Sequence, residues 1–170
     1  MPRLSNRRAI YTLEVTLRES DPRIWRRVLV PGATTLDRLH EIVQAMMLWK
    51  DYHLYEFQVG GDEEGYGASR YGVYEPTFAD GEPPIDATHT ALADITPAVD
   101  ATFVYAYDFG DNWRHDIMVR SIERPDKRRQ YPLCVAGARA GPRRTAAGYG
   151  ATATCWRRWR KDVARSTTTC

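Results

Sequence analysis

The segment Tyr105 to His115 reads YAYDFGDNWRH and concentrates residue types that do chemistry: Asp108, Asp111 and His115, with Asp116 directly after. Carboxylates on either side of Gly110 can bind a cation or hold backbone amides, and an imidazole beside them can ligate a metal or move a proton. His53 and His40 can join from elsewhere in the chain, and a His/Asp set gathered from several elements is what a metal-dependent hydrolase uses. Spacing weighs against that reading, because the chain has no HxH or HExxH motif. In the simpler reading the aspartates accept turn N–H groups, Gly110 supplies a positive φ, and the histidines pack as hydrogen-bonded core residues. No catalytic residue, metal or cofactor is assigned on this basis. Asp108, Asp111 and His115 stand as the candidates for either role.

A second group is Trp25 beside Arg26 and Arg27, with His53 and Trp113 as further binding candidates. A ring next to guanidinium groups suits stacking or phosphate recognition. An arginine pair on a strand also bridges to carboxylates, and Glu14 is the natural partner. Gly60 to Gly65 (GGDEEG) lacks the Lys-Ser/Thr of a P-loop and the ligand spacing of an EF-hand. No Ser or Cys has a base at recognisable motif spacing, so nucleophilic catalysis has no support.

The elements that position these residues follow from periodicity. Tyr11, Leu13, Val15 and Leu17 alternate with polar neighbours, the pattern of a half-buried strand, and Ile24 to Val30 reads as its hairpin partner after Asp21-Pro22. Leu36, Leu39, Val43, Met46 and Met47 recur at helical spacing, which predicts a helix over 35–49, with Thr34 at the cap and Asp37 three residues on. Leu54 to Val59 is a third strand. Residues 60–100 show little periodicity and yield one short helix near Thr90 to Ile95. Thr102 to Tyr107 and Trp113 to Ser121 form a hairpin around the Gly/Asp/Asn turn. On its second strand Trp113, His115, Ile117 and Val119 share the apolar face, and Arg114, Asp116, Met118 and Arg120 share the other. The fold class is α+β: a mixed or antiparallel sheet of about five strands with one main helix across a face, in a single domain.

Composition narrows the function. No apolar run approaches the roughly 20 residues of a membrane span, and the basic start is not followed by a signal core, so the reading is cytoplasmic without membrane contact. Cys134, Cys155 and Cys170 are scattered and form neither a disulfide framework nor a zinc spacing. The net charge of +2 conceals an asymmetry: seven of the 24 Lys/Arg and one of the 22 acids fall in 143–170, which leaves 17 bases against 21 acids before them. A nucleic-acid face needs local positive charge, so an unknown protein partner is favoured over nucleic acid.

Ile24-Trp25-Arg26-Arg27, Thr35-Leu36 with Leu39-His40, His53-Leu54 with Phe57, and YAYDFGDNWRH together resemble the plasmid ORF-3-like family, first recognised in an Ri-plasmid reading frame and including TnpR-like transposon passenger proteins. The resemblance covers residues 9–142, beyond an N-terminal tail at 1–8. It implies an α+β fold and a link to plasmids and mobile elements, but no established reaction, and no serine-recombinase pattern accompanies the TnpR-like label. Tyr131-Pro132, Cys134, Gly137 and Arg139 to Pro142 still fit the family's pattern.

From Arg143 the chain departs, as RRTAAGYGATATCWRRWRKDV. With GC-rich codons, read one nucleotide earlier from the last base of the Pro142 codon, the same stretch spells Pro-Glu-Asp-Cys-Gly-Gly-Val-Trp-Gly-Tyr-Arg-Asp-Leu-Leu-Glu-Ala-Leu-Glu, which restores the family's pattern. Residues 143–170 are therefore expected to be a frameshifted basic tail, by sequencing error or true mutation. The residues favour a non-enzymatic accessory or interaction domain of a mobile element over two alternatives: a metal-dependent hydrolase using Asp108, Asp111 and His115, and a DNA-binding accessory using Arg26 and Arg27.

Overall fold

The computed structural model describes residues 6–63, 65–75 and 82–142. Period-two alternation carries through into the first strand, β1 (Ile10–Leu17), whose Tyr11, Leu13, Val15 and Leu17 turn inward and are at most 3% exposed. There follow β2 (Trp25–Pro31), α1 (Leu36–Met47), β3 (Tyr55–Val59), β4 (Ser69–Gly72), β5 (Ile85–Asp86), α2 (Leu92–Ile95), β6 (Thr102–Tyr107), β7 (Trp113–Glu123) and β8 (Leu133–Ala138). All these strands join one sheet in the order β5-β4-β3-β6-β7-β1-β2-β8. Every pairing is antiparallel except β4 with β5.

Among the described residues the sheet has eight strands, where the sequence predicts about five. β4 and β5 span four and two residues, too short to display a period. β8 (LCVAGA) carries small residues and a glycine that mask its alternation, and it is held by pairing to β2. The two expected hairpins both form, β1 with β2 and β6 with β7. Their arrangement adds what periodicity cannot supply: β1 also pairs with β7, joining segments about 100 residues apart.

The amphipathic stripe of α1 is buried as predicted, with Leu36, Leu39, Val43, Met46 and Met47 at most 1% exposed. They pack on inward residues of the sheet, among them Phe57, Phe103, Ile117 and Val119. The helix start differs from expectation. Thr35, not Thr34, is the capping residue, and its side chain makes no cap hydrogen bond. Instead the Leu36 N–H donates to the carbonyls of Ala87 and Thr90, and the Asp37 N–H to Ala87. Backbone from a distant loop thus satisfies the free N–H groups that a side chain usually caps.

Past β8 the chain turns back to the helix. Trp49 Nε1–H donates to the Pro142 carbonyl at 3.0 Å, and Gly141 lies so close to Met47 that a Cβ there would stand 2.4 Å from its carbonyl oxygen. Residues 6–8, assigned to the tail from sequence, form a 3-10 turn tied to α2 through the Arg7–Asp94 ion pair at 2.7 Å. The expected frameshifted tail falls outside the described residues. Truncation of the α1 stripe tests this packing: Leu39→Ala is expected to cost about 2–5 kcal/mol of unfolding free energy, read from urea denaturation midpoints.

Candidate functional site

The turn between β6 and β7 does not use Gly110 for its left-handed positions. Those are Asp108 at φ 57° and Asn112 at φ 52°, residues whose short polar side chains tolerate that region. The Asp108 N–H donates to the Leu54 carbonyl at 3.0 Å, and its own carbonyl accepts from Asn112 N–H at 2.6 Å. Its Oδ1 accepts a long hydrogen bond from Asp111 N–H at 3.4 Å and lies 3.5 Å from His53 Nδ1. Asp111 is exposed. The turn therefore brings Asp108 and His53 together.

His115 sits elsewhere. It is fully buried, its ring 5.3 Å edge-on from Trp49 and 5.6 Å from Tyr105. Neither ring nitrogen makes a well-formed hydrogen bond among the described residues, and none links it to either aspartate. Burial pushes its pKa down to about 3, with the Tyr105 backbone and Asp116 pulling weakly upward. Trp113 lies two residues before it on the same strand face, half-buried and tilted on Trp49, its Nε1–H also without an acceptor among the described residues. Among the described residues no group of three or more His, Cys, Asp or Glu is placed to hold a metal ion.

The polar network on the helix side centres on His40. Asp51 N–H donates to Gln44 Oε1 at 3.1 Å, Gln44 Nε2–H to the Tyr105 hydroxyl at 2.9 Å, and that hydroxyl lies 2.7 Å from His40 Nδ1. His40 Nε2 meets Asp51 Oδ1 at 2.8 Å. A carboxylate only accepts, so the neutral His40 ring donates Nε2–H to Asp51 and accepts a hydrogen bond from the Tyr105 O–H at Nδ1. Four hydrogen bonds thereby close a ring that fastens the end of α1 and its loop to β6. His40 also stacks on Tyr55 at 3.7 Å. Burial lowers the His40 pKa against the upward pull of Asp51 and raises that of Tyr105. Asp51 is the exposed end of the ring, and the other three members are buried. Gln44 lies one helical turn from His40 on α1, while Asp51 and Tyr105 reach them only in the assembled fold.

The opposite sheet face holds a different constellation. Glu14 is 4% exposed. Its Oε1 accepts from Arg23 Nη2 and Arg120 Nη2, both at 2.7 Å, and its Oε2 from Arg27 Nη2 at 2.6 Å. Burial pushes the Glu14 pKa up, but the three guanidinium groups outweigh it and hold the carboxyl at about 2. Two of them approach the Trp25 ring, Arg23 at 5.7 Å and Arg27 at 5.4 Å from its centroid, within cation–π range. Arg26 points the other way and is buried, its Nη1 donating to the carbonyls of Trp25 and Ala138. Across the same face Arg18 pairs with Asp116 at 2.8 Å, Arg114 donates to Gln58 at 2.7 Å and Arg70 approaches Glu56 at 3.6 Å.

Strand register puts these groups together. Glu14 faces Arg27 on one neighbour and Met118 on the other, so Arg120, two residues beyond Met118, reaches it diagonally. Of this cluster, sequence alone exposes Glu14, Trp25 and Arg27. Arg23 and Arg120 become neighbours only once β1 lies between β2 and β7.

Three comparisons bear on the chain. A family model described as "Plasmid pRiA4b ORF-3-like protein" matches residues 9–165, running past Pro142, where the sequence reading ended the resemblance. "Uncharacterized protein y4hQ" of Sinorhizobium fredii (strain NBRC 101917 / NGR234) is 39% identical over 112 residues, covering 65% of this chain and 53% of its own length. The chain thus spans about half the length of that curated relative. The crystal structure of a protein of unknown function, MM3350, from Methanosarcina mazei Go1 matches with a TM-score of 0.71 at 29% identity, over 92% of this chain and 80% of that one.

The buried histidines set a pH dependence. His115 and His40 have folded-state pKa values below the ordinary 6.5, so below that pH the unfolded chain binds protons that the fold does not. Their contribution is complete above about pH 6.5 and is lost as pH falls toward His115's value of about 3. Glu14 adds a loss only below its ordinary 4.5. In His115→Leu the fall in urea midpoint between about pH 6.5 and 4.5 is expected to be visibly shallower than in the wild type. Equal slopes would mean that His115 titrates alike in both states.

Proposed function

The chain belongs to the plasmid pRiA4b ORF-3-like family, and from that premise we propose that it is a non-enzymatic interaction module, an accessory of mobile elements, that docks an anionic partner on the open face of its sheet. One observation carries this reading: a single buried carboxylate, Glu14, gathers Arg23, Arg27 and Arg120 into one fixed array. Three guanidinium groups against one carboxylate leave two surplus positive charges. Each guanidinium has five N–H donors, and Arg23, Arg27 and Arg120 stay 52%, 39% and 42% exposed.

Charge segregation supports the same face. The outward side chains of the strands place Arg18, Arg27, Arg70, Arg114 and Arg120, with Arg23 from the turn before β2, beside Glu14, Glu56, Asp86, Asp116 and Glu123. Six against five leaves this face slightly basic on a chain whose first 142 residues are net acidic. Such a field steers an acidic partner and raises its association rate. The helix side supports the non-enzymatic part, because His40, Tyr105, Gln44 and Asp51 spend their polar groups on one another and His115 is closed off from solvent.

Retention of the full chain on heparin tests the reading. The basic residues after Pro142 contribute equally to every variant, so the comparison isolates the sheet face. Arg27→Ala/Arg120→Ala is expected to elute at clearly lower salt than the wild type, and Asp111→Asn to elute with it. Coincident elution of the wild type and the arginine variant would remove the face from the account.

A further inference from the structure

Beside the Glu14 array lies an open hollow lined by Thr12, Arg27, Leu29, Arg120, Ser121 and Arg129. We propose that this hollow and the adjoining Trp25 ring bind single-stranded nucleic acid, the arginines taking backbone phosphates and the ring taking a base. The inference rests on the docking face proposed above and names the chemistry of its partner.

Phosphate recognition follows from the groups present. Arg27 and Arg120 are held by Glu14 and remain 39% and 42% exposed, so they are oriented without being neutralised. Orientation matters because a guanidinium fork binds a phosphate through two parallel N–H···O bonds, and a side chain already fixed loses less entropy in doing so. Arg27 Nε–H is buried without an acceptor among the described residues, so a phosphate would meet this side chain at its Nη groups. The floor adds hydroxyls, with Ser121 Oγ donating to Thr12 Oγ1 at 2.8 Å. Arg129 stands on the rim, 51% exposed and 3.6 Å from Asp126. The carboxylate of Glu123 also lines the hollow and disfavours an anion beside it, which places the phosphates toward Arg27 and Arg120.

Two features favour a nucleic acid strand over an acidic peptide. Trp25 is half-buried on the same outward face, two residues along the strand from Arg27 and flanked by Arg23. Bases stack on aromatic rings and on guanidinium planes, an interaction that carboxylate side chains cannot use. The basic groups also run on across the strands through Arg114 to Arg70, an extended track of the kind a polymer backbone follows.

The test uses the full chain and a fluorescein-labelled oligothymidylate, with poly-glutamate as the second probe, and reads anisotropy against salt. Wild type is expected to bind the oligothymidylate with a steeper slope of log K on log[salt] than Arg27→Ala/Arg120→Ala, by about 1.4 when two phosphates are no longer neutralised. Trp25→Ala is expected to weaken binding at least about fivefold, and Trp25→Tyr, which keeps a ring, to restore most of it. Arg27→Lys/Arg120→Lys retains the charge and covers the case in which the alanine pair does not fold; it is expected to bind more weakly than wild type, because a point charge replaces the fork. Oligothymidylate binding that is identical in wild type and all four variants overturns the inference. Binding of poly-glutamate alone, dependent on Arg27 and Arg120, overturns the nucleic-acid partner and leaves the docking face standing. If neither probe distinguishes wild type from the arginine variants, both proposals fall.

Discussion

Glu14 is a carboxylate almost removed from water, and burying a charge is costly unless it is paired and hydrogen-bonded. The chain meets that cost with three arginines from three places: the turn before β2, β2 itself, and β7, whose Arg120 lies 106 residues away in sequence. The pairing therefore does two things at once. It stitches β1 to both neighbours, β2 and β7, and it converts flexible cations into an ordered array. Removal of the carboxylate would release three side chains, which makes Glu14 a positioning residue for the face.

The two sides of the sheet divide the work. On the helix side the polar groups close on themselves, and the ring through His40, Tyr105, Gln44 and Asp51 leaves the loop after α1 fixed against β6. That loop carries His53 to Asp108 and Trp49 to the Pro142 carbonyl. Of the histidines and aspartates that suggest catalysis when read along the chain, Asp108 accepts a turn N–H and lies near His53, Asp111 is exposed, and His115 is buried among aromatic rings. The outward side has the opposite character, its arginines paired incompletely and facing solvent.

Much of this was legible from the residues, for physical reasons. The α1 stripe, the inward faces of β1 and β7 and the β6–β7 hairpin all follow from period, and the placement of His115 on the apolar face follows from counting two residues at a time from Trp113. The pairing of Arg27 with Glu14 was legible too, since both lie on polar faces of one hairpin. What was not legible depends on pairings distant in sequence. The adjacency of β1 and β7 brings Arg120 to Glu14, and nothing local encodes it. Average charge along the chain does not say where the charges lie, and only the strand register gathers Arg23, Arg27 and Arg120 around Glu14. The helix start was misjudged for the same reason, its cap being backbone from the loop around Ala87.

The most direct measurement is a map of amide chemical-shift changes as the full chain is titrated with an anionic ligand such as heparin. On the account given, the shifts fall on the outward residues of β2, β1 and β7, with Thr12, Trp25, Arg27 and Arg120 among the largest. Shifts confined to residues 143–170, or centred on His115 and the His40 ring, would contradict it.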